Sequence, residues 1–261
     1  MFHLAELEAA LAGTIFAGNL HFSPVIDSTN NDAMAAARAG APHGSVYFAD
    51  EQRAGRGRGN HVWHSAAGEG LYVSVLLRPQ FPAVRLPWLP LAAGLAAADA
   101  VHASASLAID LRWPNDLLLG PRKAGGILVE AHTEGSKIAF AVVGIGINVH
   151  QRVFDSSLPT PATSLDIEAG SPISRQALLL SLLKSLQRES LALLDPATAE
   201  LLPSRVEQAS TWACGRQVAV HGPQACNGVT AGLDKHGFLL VRTTDGIVTV
   251  QTGGIRATDT N

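Results

Sequence analysis

Apolar residues along the chain fall into short runs that glycine, proline and polar turns separate. Helical periodicity predicts helices over residues 4–12, 88–103 and 174–194, and another that begins within 27–30 and ends near 39. Short apolar runs of strand length predict strands over residues 22–26, 45–49, 71–77, 109–113, 126–130 and 138–147. Strands and helices interleave along this part of the chain.

The pattern changes near residue 214, where helical periodicity gives way to short strands and glycine turns. Strands are predicted over residues 216–220, 229–233, 238–242 and 247–250. Their regular spacing favours a small antiparallel β domain. We therefore divide the chain into a main domain, 1–212, and a C-terminal domain, 213–261. So small a domain is expected to dock against the larger one.

A polar segment of nineteen residues, 52–70, separates two predicted strands and contains the run Gly55-Arg-Gly-Arg-Gly59. A tight hairpin would need only about two to five residues here. Glycine lets backbone N–H groups approach a ligand, and arginine offers forked donors to carboxylate or phosphate. The pattern predicts a mobile loop that wraps an anionic small molecule. Its sequence matches neither a P-loop nor a dinucleotide-binding fingerprint.

Composition narrows the classes of function. The chain has 261 residues, is 47% hydrophobic and carries a net charge of −3, so global electrostatics gives no case for DNA or an anionic membrane. Its two cysteines, Cys214 and Cys226, are too few for a disulfide framework, which favours reduced thiols in a cytoplasmic protein. The apolar stretch 86–103 contains prolines and polar residues, so we interpret it as a buried helix and not a membrane span.

Five short motifs occur in order between residues 27 and 148. They are Asp27-Ser-Thr-Asn30, Gln52 with Gly55-Arg-Gly-Arg58, Trp113-Pro-Asn-Asp116, Arg122-Lys-Ala-Gly-Gly-Ile-Leu-Val-Glu130 and Gly144-Ile-Gly-Ile-Asn148. Each motif alone is weak evidence, but together, in this order, they resemble the motifs of the biotin protein ligases. The resemblance extends from about residue 27 to the end of the chain. The resemblance implies an α+β fold, in which a mixed β-sheet catalytic domain is backed by helices, like the class II synthetases, and followed by a C-terminal SH3-like barrel.

The resemblance also implies a reaction and its components. Biotin would attack the α-phosphate of ATP, giving biotinyl-5′-AMP, and a lysine of a biotin carboxyl carrier domain would then take the biotin. The carrier would belong to acetyl-CoA carboxylase or a related enzyme. ATP and Mg²⁺ are expected as cofactors, and a monomer or a homodimer as the assembly, with no DNA or membrane partner.

The family's motifs assign roles to residues of this chain. Catalytic roles fall to Lys123, Arg58 and Asp116. Biotin binding is assigned to Ser28, Thr29, Asn30, Gln52, Arg56, Gly57, Arg58, Lys123 and Gly126. Binding of ATP or the adenylate is assigned to Arg56, Arg58, Trp63, Asn115 and Asn148, and no metal ligand is assigned.

From the residues alone, simpler interpretations stay open for several of these positions. Residues 28–30 could serve only as a helix cap, Lys123 could be a solvated lysine in a turn, and Trp63 could be ordinary core. Asn60 stands where the family usually has glycine. Only 26 residues precede Asp27, so we expect the single-function form without an N-terminal DNA-binding domain.

Three other functions compete with a biotin ligase. A lipoate-type acyl-protein ligase would share the fold and the acyl-adenylate chemistry. An inactive biotin-binding or regulatory homologue would keep the pocket without turnover. A nucleic-acid-binding protein could use the arginine loop electrostatically, although the acidic net charge disfavours it.

Overall fold

The structure is a computed structural model that describes residues 2–59 and 61–258. Its helices are α1 (Leu4–Ala10), α2 (Thr29–Arg38), α3 (Trp88–Ala105), α4 (Leu165–Ala169), α5 (Arg175–Ala192), α6 (Pro196–Ala199) and α7 (Leu202–Gln208). Its strands are β1 (Leu20–Ile26), β2 (Val46–Gln52), β3 (Gly70–Leu77), β4 (Asp110–Arg112), β5 (Asp116–Leu119), β6 (Arg122–Glu134), β7 (Lys137–Asn148), β8 (Cys214–His221), β9 (Cys226–Leu233), β10 (Leu239–Thr243), β11 (Gly246–Val250) and β12 (Gly254–Ala257).

The first seven strands form one mixed sheet in the order β1-β2-β3-β7-β6-β5-β4. Only β1 and β2 run parallel, and the other neighbours are antiparallel. Every residue of β3 is buried, because helices cover both faces of the sheet around it. The side chains of Val73 and Val75 enter the main core with α3 and α5, whereas Leu76 packs with α2 on the opposite face.

The last five strands form a second, fully antiparallel sheet in the order β11-β10-β9-β8-β12. It packs against the part of the chain that contains the first sheet. The indole of Trp113 donates to the carbonyl of Gly237 at 3.1 Å, and the N–H of Leu233 donates to Glu207 at 2.6 Å. Apolar residues of both sheets belong to one continuous core. The two parts of the chain therefore share buried surface.

The predicted fold class is confirmed, and the long elements lie close to their predicted positions. Strand β6 begins at Arg122 because its first residues pair with β5, and it extends to Glu134 because its pairing with β7 continues beyond its apolar run. The sequence patterns missed β12, α4, α6 and α7, each of which has seven residues or fewer. Within the described part of the chain, no helix has both the length and the apolar character that crossing a bilayer requires.

Candidate functional site

The glycine- and arginine-rich segment after β2 folds back on itself. Arg56 pairs with Val62 in an antiparallel bridge, and the N–H of Gly57 donates to the carbonyl of His61 at 2.8 Å. The segment is thus a small hairpin set between β2 and β3, which we call the glycine hairpin (residues 53–66). The length of the segment argues only against a tight turn that joins β2 directly to β3. Asn60, the position of the departure from the family pattern, lies outside the described residues.

Gly55 lets the two arms of the glycine hairpin meet. A side-chain carbon at this position would overlap the carbonyl of Trp63 and lie 2.7 Å from the hydroxyl of Ser65. The N–H of Trp63 donates to the carbonyl of Gly55 at 2.9 Å. A larger residue would therefore push away the arm that carries Trp63.

The indole of Trp63 lies against a glycine-lined floor on the sheet. A side-chain carbon on Gly146 would come within 2.6 Å of its ring nitrogen, and one on Gly126 within 3.5 Å of the ring. Gly144 lies beneath Asn30 in the same way, with no room for a side chain. Trp63 consequently lines the site, and it lies beside Lys123, whose ammonium is 5.6 Å from the ring centroid.

Lys123 lies in β6 and not in a turn, which corrects the simplest interpretation of its sequence context. Its ammonium contacts one oxygen of Asp116 at 2.5 Å. The other oxygen of Asp116 accepts from two nitrogens of Arg112, at 2.6 and 3.1 Å. Burial raises the pKa of the Asp116 carboxyl, but the charges of Lys123 and Arg112 outweigh it, so that pKa lies below its ordinary value. The carboxylate is therefore ionised at neutral pH and holds Lys123 in place.

A second cation reaches the same place from the tip of the glycine hairpin. The guanidinium of Arg58 donates to the side-chain oxygen of Asn115 at 3.2 Å, and the amide of Asn115 donates to the carbonyl of Ile127 at 2.8 Å. Burial lowers the pKa of Arg58 from its ordinary value, and the charge of Asp116 partly offsets that shift. An arginine side chain stays charged at neutral pH despite such shifts. Arg58 and Lys123 together make this region electropositive.

Polar side chains at the start of α2 form a buried network with the base of the hairpin. The N–H and hydroxyl of Thr29 donate to Gln52 at 2.9 and 3.1 Å, and Gln52 donates to Ser65 at 2.8 Å. The hydroxyl of Ser74 lies 2.8 Å from that of Thr29 and donates to Asn30 at 2.6 Å. These contacts cross between three elements, so the residues do more than cap a helix.

Ser28 occupies the cap position of α2, but its side chain makes no capping hydrogen bond. Asn30 donates to Glu130 at 3.0 Å. Arg56 binds the same carboxylate through two nitrogens, at 2.7 and 3.1 Å, and also donates to Asn31 at 2.6 Å. Arg56 therefore ties the glycine hairpin to the sheet, at a different place from Arg58.

Asn148, the last residue of β7, binds the segment that lies beside Lys123. Its amide donates to the carbonyl of Thr163 at 2.9 Å. The chain from Pro161 to Thr163 in turn runs beside Lys123, with backbone hydrogen bonds of 2.7 and 3.0 Å in both directions. Asn148 thus holds the segment that borders Lys123.

The structure brings the predicted residues into one region of the sheet and adds four that sequence reasoning missed as site residues: Arg112, Glu130, Ser65 and Ser74. The pairing of β4 with β5 puts Arg112 opposite Asp116, and the apolar pattern of the sequence gives no sign of that pairing. Among the described residues, no group of three or more His, Cys, Asp or Glu side chains is arranged to hold a metal ion.

Comparisons with known proteins agree with this geometry. Residues 22–148 match the family model of the biotin/lipoate A/B protein ligases. The bifunctional ligase/repressor BirA of Bacillus spizizenii is 33% identical over 258 residues, which cover 96% of this chain and 78% of that protein. A biotin–[acetyl-CoA-carboxylase] ligase of Mycobacterium tuberculosis is 31% identical over 233 residues, which cover 87% of this chain and 85% of that ligase.

A solved structure extends the likeness to three dimensions. The biotin protein ligase of Aquifex aeolicus, in complex with biotin and ATP, superposes with a TM-score of 0.79 at 29% identity, covering 92% of this chain and all of that one. Sequence similarity and fold agree over most of both proteins. The chain belongs to the biotin/lipoate A/B protein ligase family.

Proposed function

We propose that this chain is a biotin protein ligase. It activates biotin with ATP as biotinyl-5′-AMP and transfers the biotin to one lysine of a biotin carboxyl carrier domain. The observation that carries the proposal is the placement of Lys123, which Asp116 holds beside Trp63 while Arg58 approaches from the glycine hairpin. Relatives named biotin–[acetyl-CoA-carboxylase] ligase and a neighbour bound to biotin and ATP support it.

In the first step, an oxygen of the biotin carboxylate forms a bond to the α-phosphorus of ATP. The bond from that phosphorus to the oxygen bridging to the β-phosphate breaks, and pyrophosphate leaves with the electron pair. Two anions must approach each other, so cations are needed to offset the repulsion. Lys123 binds the biotin carboxylate and the reacting phosphate, and Arg58 adds a second charge on the hairpin side.

In the second step, the ε-amine of the acceptor lysine attacks the carbonyl carbon of the adenylate. The amine loses a proton, the bond from carbonyl carbon to phosphate oxygen breaks, and AMP leaves. The mixed anhydride must be kept from water until the carrier arrives. The glycine hairpin provides this cover, because Arg56 fastens it to Glu130 on the sheet.

We assign the substrate contacts from the family's motifs, and the placement of the residues supports them. The uncharged ureido ring of biotin suits the neutral hydrogen-bonding groups of the network at the start of α2, and the glycine floor lets the ring lie close to the sheet. The proposed biotin contacts are Ser28, Thr29, Asn30, Gln52, Arg56, Gly57, Arg58, Lys123 and Gly126. Contacts to ATP or the adenylate are Arg56, Arg58, Trp63, Asn115 and Asn148.

The residues present do not fit a protein-held Mg²⁺. Both oxygens of Asp116, the carboxylate beside Lys123, already bind cationic side chains. Mg²⁺ prefers several oxygen ligands and retains its own waters. We therefore propose that the ion accompanies the phosphates of ATP, and we assign it no protein ligand.

The remaining features of the proposal are its partner, location and organisation. The carrier is a biotin carboxyl carrier domain of acetyl-CoA carboxylase or a related carboxylase. The location is cytoplasmic, in keeping with the free cysteines Cys214 and Cys226. The domain boundary lies between residues 212 and 213. A monomer or a homodimer is the expected assembly.

Mass spectrometry of a carrier domain tests the function directly. The protein is incubated with ATP, Mg²⁺, the carrier and either biotin or lipoate, and a carrier whose acceptor lysine is replaced by arginine is the control. We expect one biotin mass on the intact carrier and none on the control. Addition of lipoate in place of biotin would assign the chain to the other branch of the family, and no addition in either arm would contradict ligase activity.

A further inference from the structure

The segment that leads into the C-terminal sheet is bound along strand β4. We call residues 209–213 the linker. The hydroxyl of Ser210 donates to the carbonyl of Leu111, and Thr211 donates from its N–H and its hydroxyl to Asp110, at 2.8 and 2.6 Å. Strand β4 is the edge of the seven-stranded sheet. The linker therefore covers that edge and takes a fixed position relative to it.

Trp212 projects from the linker towards Arg112 on β4. The guanidinium of Arg112 lies 5.2 Å from the centroid of the Trp212 ring, and that of Arg216, on β8, lies 4.6 Å from it. Trp212 and Arg112 are only 6% and 7% exposed. A guanidinium over an aromatic ring is stabilised most where water is excluded, so the Trp212 ring restricts the position of Arg112.

Arg112 connects this contact to the proposed catalytic lysine. Two of its nitrogens bind one oxygen of Asp116, and one of them also donates to the hydroxyl of Thr160 at 3.0 Å. Asp116 binds Lys123 through its other oxygen. A contiguous set of contacts thus runs from the C-terminal sheet through Trp212, Arg112 and Asp116 to Lys123.

We propose that Trp212 is a positioning residue that, through Arg112 and Asp116, fixes the ammonium of Lys123 where biotin is adenylated. The C-terminal sheet thereby acts on the first chemical step without touching the substrate. The catalytic role in this inference rests on the proposed ligase function. The coupling between the side chains of Trp212, Arg112, Asp116 and Lys123 does not depend on any reaction.

Because charged groups surround Asp116, the coupling predicts a change in the pH dependence of the activity. The charged groups that face its carboxylate are Arg112 on β4, Lys123 on β6 and Arg58 on the glycine hairpin. Loss of the Trp212 ring frees Arg112 to move away from Asp116, so the carboxylate loses part of its cationic environment. Asp116 then protonates at a higher pH, and protonated Asp116 no longer holds Lys123.

The first experiment measures biotin-dependent pyrophosphate release between pH 4 and 9. We expect Trp212→Ala to lower kcat by about tenfold, as for other misplaced catalytic groups, to raise KM for biotin by a smaller factor because Lys123 also binds the biotin carboxylate, and to move the acidic limb of the kcat profile to higher pH. Trp212→Phe keeps an aromatic face and should retain most of the activity. Arg112→Gln should move the acidic limb further than Arg112→Lys, which keeps a positive charge.

Trp88→Ala is the matched control. Trp88 is equally buried, at 4% exposure, and also carries a guanidinium, that of Arg85, at 4.8 Å from its ring. The described structure gives it no contact with Arg112 or Asp116. We expect it to cost stability without moving the acidic limb. If Trp212→Ala and Trp88→Ala have the same pH profile, the inference is wrong.

The second experiment does not depend on catalysis. The free energy of unfolding is measured for Trp212→Ala, Lys123→Met and the double variant. Coupling predicts that Lys123→Met costs less stability once Trp212 is gone, because Asp116 no longer holds the lysine firmly. Additive effects would overturn the inference. If the wild-type protein releases no pyrophosphate, the ligase proposal fails, while this cycle still decides whether Trp212 positions Lys123.

Discussion

At the scale of single residues, the position of Lys123 depends on an irregularity in the sheet. The pairing of β5 with β6 shifts register between Leu117 and Leu118, so that Asp116 is paired with Gly126 and Leu118 with Lys123. This shift accompanies the contact between Asp116 and Lys123 across the two strands. Apolar alternation gives no sign of such a bulge. The sequence resemblance singled out both residues, but their ion pair could not be predicted from it.

Replacing Lys123 with methionine removes the charge and keeps most of the side-chain volume. We expect the rate of biotin-dependent pyrophosphate release to fall by about 100-fold or more, because a preorganised charge at the reacting phosphate is lost. The fold should persist, since Asp116 keeps its bonds to Arg112. Lys123→Arg, with its charge in a different geometry, is the matched control and should be intermediate. A Lys123→Met protein with unchanged pyrophosphate release would remove Lys123 from the mechanism.

At the scale of elements, the glycine hairpin was the hardest segment to predict. Its composition indicated an anion-binding loop, and the identities of Gly55, Arg56 and Arg58 carried the family resemblance. That it folds into its own ladder depends on contacts such as those between Gly55 and Trp63 and between Arg56 and Val62, and this ladder is too short to show apolar alternation. Strand patterns based on alternating apolar residues do not detect pairing of this kind.

Gly55→Ala tests whether the closed hairpin protects the adenylate. The added methyl group would displace the arm that carries Trp63, so we expect faster release of biotinyl-AMP and more labelling of bystander lysines. Gly68→Ala is the control in the same connection. Its φ of +77° makes alanine strained, but nothing lies within 4 Å of the new carbon. Equal leakage of adenylate from the two variants, measured by filtration and mass spectrometry, would contradict the protective role.

At the scale of the whole molecule, the long strands and helices were predictable because their apolar periodicity reflects one large buried core. How the two sheets pack against each other was not predictable from this periodicity. Docking combines a shared apolar core with single polar contacts between distant positions, such as the one from Trp113 to the carbonyl of Gly237, 124 residues apart. The short strand β12, which pairs with β8 at the sheet edge, also depends on this assembled context.

Gly237→Ala tests how strongly the docked sheet stabilises the protein. Gly237 has a φ of +83°, and its new side-chain carbon would lie 2.6 Å from Leu91 on α3. We expect a loss of about 2 kcal/mol in the free energy of unfolding, from backbone strain and overpacking together. Gly246→Ala, also strained at a φ of +128° but open to space, should lose less. Denaturant titration compares the two, and equal losses would show that the contact with Leu91 contributes nothing.

The glycine floor of the site has a consequence for how this protein can change over generations. At Gly144 and Gly146 a side chain would have to displace Asn30 or Trp63, so a substitution there disturbs two proposed site residues at once. The surface there consists of main-chain atoms, whose chemistry is the same for every sequence. Mutation can therefore alter the ligand preference of the pocket more readily through its walls and its hairpin than through its floor.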